Sequence, residues 1–251
     1  MRHAWLSALS HTLLPHHCLL CENATESGLC AACTASLVRL RDACEQCAEP
    51  LATTEIAGTL LCAHCLDAPP CFDSTYCHYR YDTNLAFLIQ RFKDKGQLGV
   101  GRWLCRAMAE QLQVRALGVE AMLPVPDHWR SRCQRGFNQA EFIAKSLQQR
   151  LNLPLWAGVR KRRQGSKQKT LSRALRRAEI QGQFVLTQRP PRSVAIVDDV
   201  VTTGATASTL AELLREAGCE HIEVWALART PHPKHVSAFF TQNSEGYSVQ
   251  E

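Results

Sequence analysis

The 251-residue chain lacks any apolar run near the ~18 residues that a membrane-spanning helix needs, which excludes helical insertion. Met1 to Pro15 carries one arginine and a few leucines, but His3 and His11 interrupt it. No small-residue cleavage site follows, so a secretory signal is not expected and the location expected is cytoplasmic. No internal repeat occurs beyond the cysteine pairs described below. Acidic residues are absent from Arg160 to Arg177, a stretch with nine basic ones. Global disorder is excluded as well, because 45% of residues are hydrophobic and only 21% charged.

Cysteine is what the chain has in excess, with thirteen. An odd count without an export signal argues against a disulfide framework. Eight cysteines form four Cys-x-x-Cys pairs: Cys18/Cys21, Cys30/Cys33, Cys44/Cys47 and Cys62/Cys65. Tetrahedral zinc needs four ligands, and each such turn supplies two, so the four turns make two closed structural Zn²⁺ sites. Sequential pairing (18, 21, 30, 33, then 44, 47, 62, 65) closes short loops at low entropic cost. Interleaved pairing stays open at this point. A segment so poor in large apolar residues draws its folding energy from metal. His64, inside the last pair, reads as a bystander. Cys71, Cys77, Cys105, Cys133 and Cys219 read as small buried apolar residues.

Charge is distributed unevenly. Without the nine basic residues between Arg160 and Arg177, the formal +6 becomes −3. Two all-thiolate zinc sites would lower the total to about +2. A cation-rich segment on a near-neutral body points to a local polyanion contact.

Texture divides the chain into three. Residues 1–70 are rich in cysteine and turns and end in Asp67-Ala-Pro-Pro70, expected as a double zinc-ribbon module. Residues 71–230 alternate strand-like and helix-like patterns, which predicts an α/β domain with a parallel sheet flanked by helices. Residues 231–251 have no periodicity and are expected to be a loose tail. Within the middle region, Phe72–Tyr81 reads as a strand or hairpin arm. Leu85, Leu88, Ile89 and Phe92 recur at helical spacing, as do Val100, Trp103, Leu104, Met108 and Leu112. Ala121–Pro126 is a short strand, followed by a helix over about Asn138–Arg150. Ser193–Val197 is an apolar run fit for a central strand. A helix over Ala205–Ala217, stopped by Gly218, and a strand over Ile222–Leu227 follow.

The most specific stretch is Val194-Ala-Ile-Val-Asp-Asp-Val-Val-Thr-Thr-Gly-Ala-Thr206. It delivers Asp198 and Asp199 to a strand's carboxyl end, then opens through hydroxyls and Gly204 into a helix. Helix N-terminal amides with Thr202, Thr203 and Thr206 suit a dianionic phosphate, and Gly204 permits close approach. Carboxylates just before that loop can accept from vicinal sugar hydroxyls. Both ionised, they repel each other, so a cation near them is expected.

This pattern resembles the phosphoribosyl-pyrophosphate (PRPP) motif of type I phosphoribosyltransferases. Leu14-Pro15 with the cysteine pairs, Val125-Pro126 with Arg135-Gly-Phe-Asn-Gln139, and the basic stretch ending in Gly182-Gln-Phe184 narrow the resemblance to the ComF/GntX family. It runs from about residue 10 to 230. One departure is Glu179, where the family usually has asparagine. The resemblance implies a type I phosphoribosyltransferase-like sheet and PRPP–Mg²⁺ as ligand. It implies that Asp198 and Asp199, the catalytic pair, hold the ribose hydroxyls directly or through Mg²⁺ water, and that Thr202, Thr203, Gly204, Ala205 and Thr206 cradle the 5-phosphate. The turn after Leu123-Pro-Val-Pro126 would approach pyrophosphate. The basic segment with Arg160, Lys161, Arg162, Arg163 and Lys167 would correspond to the loop that closes over it. No residue stands out as a base toward an acceptor.

A second reading is a non-catalytic accessory to DNA uptake that binds single-stranded DNA and competence proteins. Trp129 and Phe137 interleave with Arg130, Arg132 and Arg135, as cations and aromatics do in single-strand binders. The family's association with natural competence implies the same partners.

Overall fold

Alternating apolar strands and amphipathic helices assemble into a layered α/β structure in a computed structural model, which describes residues 17–51, 60–127, 136–162 and 183–232. In chain order the elements are helices α1 (Ala31–Ala35) and α2 (Ala63–Asp67), strand β1 (Ser74–Arg80), helices α3 (Thr83–Lys93) and α4 (Leu98–Leu112), and strand β2 (Ala121–Pro124). Helix α5 (Gln139–Leu151), strands β3 (Val159–Lys161), β4 (Phe184–Leu186) and β5 (Ser193–Val201), helix α6 (Ala205–Glu216) and strand β6 (His221–Arg229) complete the order.

The main sheet runs β1-β6-β5-β2, all neighbours parallel. Its register sets Val194 against Ile222 on one side and against Ala121 on the other. Leu155 lengthens the β2 edge by a parallel bridge to Met122. The other edge is covered by the chain between the two cysteine clusters, where Leu40 N–H donates to His78 and Arg80 N–H donates to Val38. A covered edge cannot recruit a foreign strand.

Alternation along β5 sends Ala195 and Val197 to one face and Val194 and Ile196 to the other. The first face is roofed by α3, α4 and α5, with Leu88, Leu104, Met108 and Ile143 fully buried. The second carries α6 through Leu210 and Leu214, together with Phe72, Phe184 and Ala48. Side-chain caps fix two helix starts: Asp82 accepts from Leu85 N–H at 2.9 Å, and Asn138 from Glu141 N–H at 3.2 Å. Gly218, at φ +93°, ends α6 as the sequence predicts.

The structure departs from the sequence reading in three places. Strand β5 does not stop at Val197 but continues through the acidic pair to Val201. Strands β3 and β4 form an antiparallel ribbon that the apolar pattern does not announce, because each has only three residues. Cys71 is exposed, whereas Cys77, Cys105 and Cys219 are buried as expected. Cys133, Glu179 and residues 233–251 lie outside the described residues. Among those described, no helix is long and apolar enough to cross a membrane.

Candidate phosphate site and metal centres

The cysteine pairs close sequentially. Cys18, Cys21, Cys30 and Cys33 gather their sulfurs within 4.8 Å of one another, as do Cys44, Cys47, Cys62 and Cys65. A tetrahedral zinc–thiolate site with bonds of about 2.3 Å has sulfur–sulfur edges of about 3.8 Å. Cys21 and Cys30 stand 3.8 Å apart and Cys47 and Cys62 3.6 Å, so both donor sets fit the ion. Backbone amides complete the fit: Cys30 N–H donates to Cys18 Sγ and Cys33 N–H to Cys30 Sγ. The Cys47 thiol, with the amides of Cys47, Cys62 and Gln46, holds the Cys44 thiol down at about 4 despite its burial. His64 is not a member of either cluster. All ligands are cysteine, so the sites are closed and structural.

Both clusters are built into the α/β body. Arg91 of α3 donates to Leu19 O at 2.7 Å, and a Cβ on Gly28 would stand 3.0 Å from the Trp103 ring of α4. The second cluster is held by Thr75, whose hydroxyl donates to Gln46 O at 2.6 Å, and by Arg229 at the end of β6.

Asp198 and Asp199 occupy the carboxyl-terminal half of β5, where ligands bind in such sheets. Their side chains leave the strand in opposite directions. Asp199 meets Lys93, the last residue of α3, with Nζ 2.6 Å from Oδ2. This is a cation beside the acidic pair, of the kind its repulsion calls for. Asp198 accepts from the Asp199 N–H at 2.8 Å. Burial first, and the neighbouring Asp199 carboxylate second, push Asp198 up to about 7.

After Val201 the chain turns through exposed Thr202 and Thr203 and half-buried Gly204 into α6, with Ala205 and Thr206 exposed in its first turn. Gly204 has φ +75°, a left-handed conformation that glycine adopts without cost. Thr203 Oγ1 accepts from Ala205 N–H at 3.3 Å, and no side chain caps α6 from the Gly204 position. The loop thus gathers hydroxyls and helix N-terminal amides in one place, the composition an anion uses.

A second cleft, of about 470 Å³, opens at the carboxyl end of β2. It is walled by Pro126, Asp127, Glu141, Trp156, Arg160 and Arg162. Arg160, Lys161 and Arg162 therefore stand at the foot of the β3–β4 ribbon, with Lys161 Nζ 5.7 Å from the Phe184 ring centre. Asn138 ties this cleft to α5 by donating to Val125 O at 3.1 Å. Phe137 packs on Phe92 and Phe142 and is partly buried against the core. Arg163, Lys167, Trp129, Arg130, Arg132 and Arg135 lie outside the described residues.

The candidate site is therefore the loop after β5 and the cleft after β2, both at the carboxyl edge of one sheet, with the second cysteine cluster beside the loop. Residues 9–66 match the family model of the double zinc ribbon domain, and residues 135–245 that of the phosphoribosyl transferase domain. Over 223 residues the chain is 33% identical to competence protein F of Haemophilus influenzae, covering 85% of this chain and 95% of that one. The chain belongs to the competence protein F family. Similarity extends to the DNA utilization protein YhgH of Escherichia coli K12, 30% identical over 211 residues, with 81% of this chain and 91% of that one covered. Purine phosphoribosyltransferase from Pyrococcus horikoshii is a structural neighbour at TM-score 0.33 and 18% identity, covering 51% of this chain and 80% of that one.

Three polar residues that bear on the candidate site escape sequence reading. Lys93 and Arg229 close elements read only for their apolar positions, and Glu49 sits in a turn whose cysteines draw all attention. An arginine ending the apolar run Val224–Ala228 of β6 is the one signal that points to any of them.

Proposed function

We propose that this protein binds PRPP with Mg²⁺ at the carboxyl edge of the sheet and belongs functionally with the phosphoribosyltransferases, its acceptor being unidentified. The observation that carries this reading is the acidic pair running directly into the Gly204 loop, with Lys93 of α3 brought against Asp199. In it, the Thr202–Thr206 loop takes the 5-phosphate by its amides and hydroxyls. Asp198 and Asp199 accept from the ribose hydroxyls. Lys93 and the basic β3 strand face the charge that develops on pyrophosphate as it leaves C1.

The acidic pair suits a hydrated Mg²⁺ as well, since carboxylate oxygens accept from the water ligands of the ion. When bound, Mg²⁺ supplies neutralisation of the pyrophosphate oxygens. The test is calorimetry of PRPP at millimolar concentration with and without Mg²⁺. Binding that weakens about tenfold or more in Asp199→Asn supports the reading, as loss of a charged acceptor costs roughly 1.5–3 kcal/mol. No binding to the wild type with Mg²⁺ present rejects it.

A second reading is favoured by the relatives' names and by Trp156 standing beside Arg160 and Arg162 in one cleft. In this reading the protein is an accessory to DNA uptake, binding single-stranded DNA through stacking and phosphate contacts and working with competence proteins. A fold that holds PRPP need not catalyse.

A further inference from the structure

We infer that the second cysteine cluster and the Thr202–Thr206 loop form one coupled unit, joined through Arg229 and Glu49, so that metal in the cluster sets the loop's grip on a ribose 5-phosphate group. The inference rests on the phosphate reading of that loop given above.

The guanidinium of Arg229 is 7% exposed and touches both partners at once. Its Nε donates to Cys47 O at 3.0 Å, within the Cys44-x-x-Cys47 turn. Its Nη1 donates to the carbonyls of Val201 (3.3 Å), Thr202 and Thr230 (2.5 Å). Its Nη2 meets Glu49 Oε2 at 2.8 Å. Glu49 is itself built into the turn: its carbonyl accepts from Cys44 N–H at 2.8 Å, and its Oε1 accepts from His232 N–H at 2.7 Å. A single buried cation thus spans from a metal-ligand turn to the two residues that open the loop.

Peptide geometry makes this contact directional. In a planar trans peptide the carbonyl and the following N–H point in opposite directions. Fixing the Thr202 carbonyl on Arg229 therefore aims the Thr203 N–H away from the cysteine turn. Gly204 and the first turn of α6 follow from that orientation. The contact also exceeds what general packing needs. A buried guanidinium that loses either partner set is left with undischarged donors, a penalty that transmits the loss to the other set. Loss of metal frees the Cys44–Cys47 turn, and with it the Cys47 carbonyl and Glu49. Linkage then demands the reverse effect: a phosphate held by the loop raises the affinity of the cluster for metal. Cys18, Cys21, Cys30 and Cys33 share none of these contacts, so the first cluster is the internal control.

Two measurements on the full chain decide it. Hydrogen exchange of the 202–206 amides is compared between zinc-loaded wild type, Glu49→Gln and Arg229→Lys, with zinc content verified in each. Exchange about tenfold faster in both variants is expected, with protection at Cys30–Ala35 unchanged. The same rates in all three proteins overturn the inference, whether or not any ligand binds. The equilibrium partition of zinc between the protein and a chromophoric chelator is then measured with and without ribose 5-phosphate, whose binding is measured separately by calorimetry. A rise of about fivefold or more in the zinc affinity of one of the two sites, abolished in Glu49→Gln, supports the coupling. Bound ribose 5-phosphate with unaltered zinc affinity overturns it and leaves the phosphate site standing. Absence of ribose 5-phosphate binding tells against the site itself, and the exchange data then decide the coupling alone.

Discussion

Lys93 Nζ lies 2.6 Å from Asp199 Oδ2, bringing the end of helix α3 to the acidic pair of strand β5. The lysine neutralises the carboxylate that faces the α3 side, while Asp198, one residue earlier, keeps a proton near neutral pH. Of two adjacent carboxylates, one is met by an ammonium and the other is raised by burial and by its neighbour.

The pair predicts a coupling energy. Lys93→Met and Asp199→Asn should each destabilise the fold, and the double variant should lose less than the sum. A double-mutant cycle from urea unfolding should give roughly 1–3 kcal/mol, the range for a charge-assisted bond that is largely shielded from water. Strict additivity would show that the ion pair is incidental.

Asp198 predicts a pH dependence. Its folded-state pKa near 7 is above the ordinary carboxylate range, so the folded chain holds a proton that the unfolded chain releases at lower pH. The associated stability is complete below the ordinary range and is lost as pH rises through about 7. Between about pH 5.5 and about 7.5, the wild-type melting temperature should fall relative to that of Asp198→Asn, whose side chain does not titrate. Parallel profiles would remove the carboxyl as the source.

Metal content gives a third expectation. Elemental analysis of protein purified without added metal should find two zinc ions per chain, and a ratio near one or zero would reject the two-site scheme. Cys30→Ser should do more than unfold the first cluster. Gly28 packs on Trp103 and Leu19 accepts from Arg91, so the tryptophan emission of α4 should shift to the red at a lower denaturant concentration.

The basic segment can be assigned by salt. Replacing Arg160, Lys161, Arg162 and Arg163 with alanine should lower affinity for single-stranded DNA and make its salt dependence shallower, by roughly 0.7 in slope for each phosphate no longer neutralised. Loss of PRPP binding instead, with DNA binding intact, would assign the segment to pyrophosphate. No change in either would leave it a solvated face.

Much of this structure is legible in residue order because its signals are periodic. Leu85, Leu88, Ile89 and Phe92 announce a buried helix face, and all four are buried. The Cys-x-x-Cys turns announce ligands, since their chemistry needs no tertiary context. What stays hidden has no period. Lys93 and Arg229 act at the ends of elements, where partners come from distant chain, and β3–β4 is too short for alternation to register. The apolar run alone predicts that β5 ends at Val197. In the fold, ladder pairing with β6 carries the backbone past two carboxylates whose side chains point to opposite faces of the sheet.

The order of strands also constrains how the chain can be made. Strand β1 leaves the ribosome soon after the ribbons, yet its neighbour in the sheet is β6, with Ser74 opposite Glu223. For most of synthesis, β1 has no sheet to join. The segment Val38–Leu40, bonded to one edge of β1 and lying between the two cysteine clusters, is already available at that time. Zinc captured early would thus give the nascent strand a partner during the long wait for β6. A chain truncated before His221 would lose β6 and leave the inner edge of β1 without its partner, held only by Val38–Leu40.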